Sequence, residues 1–239
     1  MLTLASTNAT ALESSVRRVA SAAVATIDLR RHAGVHPRLG TVDVVPFVPL
    51  DEASSPTAVS DLGGALAARD RFAGWAAEEL GLPCFLYGPE RSLPDVRRNA
   101  FGTLRPDSGP PDPHPRAGAC AVGARHALVA YNLWLAGADL ALARCVAAAI
   151  RGPTVRALWL DVGGRLQVSC NLTAPQITGP GAVHDAVAAM ARQHGASVDA
   201  AELVGLLPAA VLAAEPPERW AELDLDPERT VERRLAGRS

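Results

Sequence analysis

Lysine is absent from this 239-residue chain, so all 23 basic residues other than histidine are arginine. With the abundant alanine, this is the mark of a biased, GC-rich coding composition, and it lowers the weight that any single arginine carries as a functional signal. The formal charge of −2 is too small to point to nucleic acid or an anionic membrane as partner. The four cysteines, Cys84, Cys120, Cys145 and Cys170, show no C-x-x-C spacing. That argues against a metal site, and they read as small core hydrophobes in a reducing compartment. No segment reaches the roughly 20 apolar residues that span a bilayer. Met1-Leu2-Thr3-Leu4 has neither a basic flank nor a long apolar run. G-x-G-x-x-G, the phosphate-binding loop, H-E-x-x-H and G-x-S-x-G are all missing, which leaves nucleotide, zincin and serine-hydrolase readings without support. The chain reads as a soluble cytoplasmic protein with enough Ala, Val and Leu for a sizeable core, arranged as one large domain or two small ones.

What is present centres on Gly34-Val35-His36-Pro37-Arg38-Leu39-Gly40 and the apolar run that follows it. Pro37 biases His36 toward extended backbone, and Gly34 can end a helix in the left-handed conformation. A titratable ring and a fixed cation are thus set side by side in a short turn. Before it, Thr10-Ala11-Leu12-Glu13 fits a capping box. Leu12, Val16, Val19, Ala23 and Ile27 then recur at helical spacing, predicting a helix that ends near His32–Gly34. Residues 1–6 read as a strand, and His32 as a solvated residue of the helix's last turn. Val42 to Val48 reads as a buried strand, interrupted at Pro46 by a bulge or an edge. A helix from about Ser60 to Leu80 and a strand from Pro83 to Tyr87 follow.

Arg105 to Pro115 carries five prolines and can be neither helix nor central strand. It reads either as a stiff linker between domains or as a wall against which a ligand docks at little entropic cost. Further on, strands at 126–134, 155–160, 166–171 and 197–206 alternate with helices at 139–150 and 183–194. Gly163-Gly164 marks a hairpin turn. That order, β-α-β-β-α-β, is a ferredoxin-like unit. The first half looks like an incomplete second unit of the same kind. The predicted fold is α+β, with a first subdomain over 1–120, a second over 121–214, a short closing helix at 208–214 and a charged surface tail with a partial helix at 215–239.

The stretch from Ile27 to Pro49, I-D-L-R-R-H-A-G-V-H-P-R-L-G-T-V-D-V-V-P-F-V-P, closely resembles the signature of the glutamate formimidoyltransferase family. The likeness continues at P-C-F-L-Y-G (83–88), D-S-G-P (107–110), H-P-R-A-G-A (114–119), V-G-A-R (122–125), V-S-C-N-L (168–172) and A-E-L-V-G-L-L-P (201–208). Each segment alone is weak; the ordered set is specific. The resemblance implies two α/β subdomains with a substrate groove between them. It also implies transfer of a formimidoyl group from N-formimidoyl-L-glutamate to N5 of tetrahydrofolate, a co-substrate, without metal, by a homodimer acting in histidine breakdown.

His36 matches the family's catalytic His. The family's folate-contacting segment aligns with Gly109, Pro110, Pro111, Asp112, Pro113, His114, Pro115, Arg116, Ala117 and Gly118. Arg38 reads equally as a partner for a substrate carboxylate or as a surface arginine. Arg125 reads as structural before ligand-binding, and Asn171 as facing the groove or tying two strands. His114 reads as a second proton donor or as an exposed loop residue; His126, His184 and His194 read as structural or solvated. Departures from the pattern are Val35 where the family often has Glu, Ser108 where it has Phe, and a start downstream of the family's first strand, V-P-N-F-S-E-G, with its nearby acid. The missing start and Val35 favour an alternative class, a non-catalytic folate-binding or assembly protein on the same fold, whereas the intact H-P-R and the Gly109–Gly118 wall favour the enzyme.

Overall fold

A computed structural model describes residues 2–34, 38–50 and 62–237. His36, with Val35 and Pro37 beside it, lies outside the described residues. The chain divides into two compact units, one made of residues 4–49 and 60–125 and the other made chiefly of residues 126–239.

The first unit opens with helix α1, Ala9–Thr26. Its cap is Asn8, whose side chain accepts from the Ala11 amide at 3.0 Å, so the expected capping box at Thr10 does not form. Asn8, two residues upstream of Thr10, satisfies an orphan N–H of the first turn instead. Val16, Ala20 and Val24 pack inward, whereas Val19 and Ile27 face outward. The helix stops well before His32. Asp28 caps a separate 3-10 turn, Leu29–Arg31, and Gly34 is not left-handed. Residues 2–6 form no strand.

Strand β1 (Val44–Phe47), helix α2 (Gly63–Leu80), strand β2 (Cys84–Tyr87), helix α3 (Leu93–Asn99) and strand β3 (Cys120–Ala124) complete the unit. The sheet order is β1-β3-β2 and every pair is parallel. Pro46 falls on the edge strand β1, where a missing donor is tolerated. The central strand β3 was not predicted from sequence. Its Cys-Ala-Val-Gly-Ala has little β-propensity, and it is a strand because both neighbours pair with it and both its faces are covered. Phe72, Ala73 and Ala76 of α2 pack with Phe47, Cys84 and Val122 on one face. Val96 of α3 packs with Phe85, Tyr87 and Ala121 on the other. Ser92 and Asp95 form a reciprocal capping box on α3.

The second unit follows its predicted order. Strand β4 (Val129–Ala136), helix α4 (Leu140–Ala149), strands β5 (Val155–Val162) and β6 (Arg165–Leu172), helix α5 (Pro180–Gln193) and strand β7 (Ser197–Val204) give an antiparallel sheet ordered β5-β6-β4-β7. This is the ferredoxin-like arrangement. The Asp139 side chain caps α4 by accepting from the Leu142 amide at 2.7 Å. Gly163 and Gly164 both have positive φ, 62° and 84°, as a two-residue turn between twisted strands requires.

Beyond the short helix α6 (Ala209–Ala213) the chain is not the surface tail expected for 215–239. Leu223 and Leu225 are buried in the core of this unit, and the Tyr131 hydroxyl donates to the Leu223 carbonyl at 3.0 Å. The Leu203 amide donates to Asp224 Oδ2 at 2.7 Å, and Leu207 bridges Thr230 just before helix α7 (Val231–Ala236). The high charge of this segment hides a few apolar anchors that complete the core. Leu223→Ala is therefore expected to cost about 2–5 kcal/mol, the range for buried Leu truncations. It should be read as a lower urea midpoint at unchanged slope; a midpoint like the parent's would return the segment to the surface.

Candidate functional site

In the first unit the segment 107–118 is pinned at both ends. Asp107 Oδ2 accepts from the Leu86 amide at 2.8 Å and from Arg91 Nη1 at 2.5 Å. The Ser108 carbonyl accepts from the Cys84 amide at 2.9 Å. Gly109 turns with φ +89°, and a Cβ there would lie 2.8 Å from the Leu82 carbonyl. At the other end His114 and Gly118 exchange two backbone hydrogen bonds, each 2.8 Å. The His114 ring folds back over the ring so formed: its Nδ1 accepts from the Arg116 amide at 3.2 Å and the Ala117 amide at 3.0 Å. Because the segment leaves and rejoins the same unit, it is not an interdomain linker. Between the pins, residues 109–113, 115 and 116 are exposed and Ala117 is buried. The prolines, lacking an N–H, suit this exposed stretch, which bends at 111–112 and pairs with no strand.

The same loop holds the chain on both sides of the connection that carries His36. Upstream, the Leu29 amide donates to the Arg116 carbonyl at 2.9 Å, and Arg116 Nε lies 3.6 Å from Asp28 Oδ2. Downstream, the Ala119 amide donates to the Leu39 carbonyl at 3.2 Å and the Thr41 amide to the Ala117 carbonyl at 2.9 Å. Gly40 and Gly118 meet at this crossing. A Cβ on Gly40 would fall 2.0 Å from the Ala119 carbonyl oxygen, and one on Gly118 2.3 Å from that of Leu39. Leu39 is held further by Asp43, which accepts its amide at 2.6 Å and pairs with Arg97 at 2.6 Å. The Arg30 guanidinium holds the Asp28 carboxyl at about 2, well below its ordinary value.

Arg38 points back rather than outward. Its guanidinium hydrogen-bonds both the ring Nδ1 and the backbone carbonyl of His32. His32 is exposed, as expected, but it closes the 3-10 turn Leu29–Arg31 rather than α1, and its ring partners Arg38; both terminal nitrogens of Arg38 are already engaged. Arg125 closes the C-terminal end of the sheet. Its amide donates to the Phe47 carbonyl at 3.1 Å, and its guanidinium hydrogen-bonds the phenol of Tyr87. Burial pushes that phenol's pKa up, and the guanidinium pulls it partway back.

Sequence reasoning passed over Tyr87 itself. Its ring lies flat on Gly123 of the neighbouring strand, where a Cβ would sit 2.0 Å from Cζ. It also passed over Arg69, only 6% exposed on α2, which donates to Glu90 Oε1 at 2.6 Å and to the Tyr87 carbonyl at 3.2 Å. An arginine on an apolar helix stripe gives no sign of what it will meet.

Asn171 belongs to the second unit. It is exposed on β6, in register with Ala130 and Arg156, on the sheet face opposite the core residues Val168, Cys170 and Leu172. That face carries a further polar group. Glu202 Oε2 accepts from Asn132 Nδ2 at 3.1 Å and from the Trp134 indole at 3.2 Å, while Arg165 stacks over Trp134 at 4.5 Å. Two histidines of this unit are structural: His184 is buried beside Asp185 and Glu222, and the His194 Nδ1–H donates to the Met190 carbonyl. Cys84, Cys120 and Cys170 are buried and Cys145 is exposed, all as free thiols. Burial pushes the Cys170 thiol up to about 12. Among the described residues no group of three or more His, Cys, Asp or Glu is placed to hold a metal ion, and no helix is long and apolar enough to cross a membrane.

Comparison with known proteins adds an independent observation. The family model described as the formiminotransferase domain, N-terminal subdomain, matches residues 1–125. The glutamate formimidoyltransferase of Streptococcus pyogenes serotype M1 is 33% identical over 208 residues, 78% of this chain and 67% of that protein. That of Thermoplasma acidophilum is 32% identical over 213 residues, with the same coverage. The formimidoyltransferase-cyclodeaminase of Gallus gallus is 33% identical over 210 residues, 76% of this chain but 37% of that longer protein.

Proposed function

The chain belongs to the formimidoyltransferase family, and from that premise we propose that it transfers a formimidoyl group from N-formimidoyl-L-glutamate to N5 of tetrahydrofolate, with His36 as general acid and base. The reaction sets clear demands. The N5 amine attacks the amidine carbon and loses a proton; the carbon–nitrogen bond to glutamate then breaks and the departing nitrogen gains one. A single imidazole can take the first proton and return it at the second step, leaving no net change in its charge. Histidine's ordinary pKa of about 6.5 suits both halves at neutral pH. The observation that carries this reading is the loop 114–118, which holds the chain on either side of the His36 connection and continues into the exposed stretch 109–113. That stretch is the proposed folate wall.

Arg38 is reassigned within this reading. With both terminal nitrogens on His32, it braces the connection instead of binding a substrate carboxylate. Arg116, exposed and loosely tied at 3.6 Å to Asp28 and 3.5 Å to the Ala25 carbonyl, is the better candidate for a glutamate carboxylate. Arg125 is proposed as structural and Asn171 as a second-unit contact. The fold is proposed to act as a cytoplasmic homodimer.

The test is a coupled pair of measurements on the purified chain: tetrahydrofolate binding, and formation of 5-formimidoyltetrahydrofolate from formimidoylglutamate. Turnover is the expected result. Folate binding without turnover would make the protein the non-catalytic binder that Val35 favours, and neither binding nor turnover would end the folate reading.

A further inference from the structure

The loop 114–118, which follows the proposed folate wall, begins with a half-buried histidine whose ring is already committed. His114 Nδ1 accepts two backbone amides, from Arg116 and Ala117. A nitrogen that accepts carries no proton, so the ring proton resides on Nε2. The two amides it collects belong to the residues whose carbonyls do the holding: the Arg116 carbonyl takes the Leu29 amide, and the Ala117 carbonyl takes the Thr41 amide. A peptide plane fixes its N–H and the preceding C=O together. Orienting the Ala117 amide therefore orients the Arg116 carbonyl, and the closed pair His114–Gly118 sets the Ala117 carbonyl.

We infer that His114 is a positioning residue: its Nδ1 shapes the 114–118 ring, and through it the two stems of the connection that bears His36. The ring serves neither as second proton donor nor, through Nδ1, as a ligand contact. The inference rests on the proposed transferase reading for its kinetic consequence but not for its structural one.

Asparagine and glutamine separate the two nitrogens. Asn carries an acceptor where Nδ1 stands and favours the same local turn; Gln carries its acceptor near Nε2. His114→Asn is expected to keep kcat and KM within about twofold of the parent. His114→Gln and His114→Ala are expected to lower kcat about ten- to a hundredfold, the scale of an ångström-level misplacement, with a smaller change in KM. Recovery by Gln and not by Asn would overturn the inference by making Nε2 the working atom. Parent-like kcat in His114→Ala would overturn it as well.

Amide hydrogen exchange tests the structural half without any activity. In His114→Ala the Leu29, Thr41, Arg116 and Ala117 amides should exchange faster than in the parent while the amides of β6 stay unchanged; in His114→Asn they should stay protected. Unchanged protection in His114→Ala refutes the inference even in a chain that turns nothing over. An inactive parent with the expected exchange pattern refutes the transferase reading alone.

Discussion

His36→Ala is expected to lower kcat for formimidoyl transfer by about 10²–10⁴-fold, the contribution typical of a positioned general acid–base group. The reaction moves one proton off N5 and one onto the departing glutamate nitrogen, and alanine can do neither. The effect should fall on kcat and kcat/KM together, because the loss is of stabilisation present only in the transition state. The pH profile offers a second signature. The parent should show a limb governed by one group titrating near neutrality, and the variant should lose it. Steady-state kinetics with both substrates varied, across pH, measures both effects. A variant as fast as the parent would remove His36 from the chemistry and leave the proline-rich loop as a binding surface only.

Gly40→Ala is expected to destabilise the first unit by about 1–3 kcal/mol or more, the range for overpacking a tight interior site. The added methyl would fall 2.0 Å from the Ala119 carbonyl oxygen and 2.6 Å from that of Ala117, both backbone atoms that cannot rotate away. Either the crossing with Gly118 opens, releasing the Thr41 and Ala119 hydrogen bonds, or β3 shifts within the sheet. Gly74→Ala is the control. It lies inside α2 with nothing within 4 Å of the added carbon, and there alanine should add about 0.5–1 kcal/mol through helix propensity. Denaturant unfolding of the two variants should therefore move in opposite directions. A Gly40 variant as stable as the parent would mean the crossing is looser than its geometry says. Activity should follow stability in this case, since the same crossing holds the chain beside residue 36.

The presence of α1, α2, α4 and α5, the Asp139 cap, the Gly163-Gly164 turn and the β-α-β-β-α-β order of the second half were legible in the residues. Each rests on neighbours a few positions apart, where propensity and turn chemistry act directly. The ordered family segments were legible for the same reason: a motif is a local word. Where local words competed, the nearer one won. Asn8 took the cap that Thr10 seemed to offer, and Asp28 began a new turn before α1 could reach His32.

Tertiary structure alone decided the rest. The strand Cys120–Ala124 has almost no strand signal of its own and exists because two parallel neighbours and two covered faces require it. Only long-range packing could show that Leu223 and Leu225, set among charges, finish a core begun at Tyr131. Nor does any spacing rule bring Gly40 onto Gly118, turn Arg38 toward His32, or lay Tyr87 on Gly123. The Gly40–Gly118 and Tyr87–Gly123 pairings join residues distant in the chain, and the entropy of closing such loops is recovered only when the whole unit packs at once. A sequence therefore specifies its local elements piece by piece, whereas the partner of each polar side chain and the crossing of each backbone are settled by the fold as a unit.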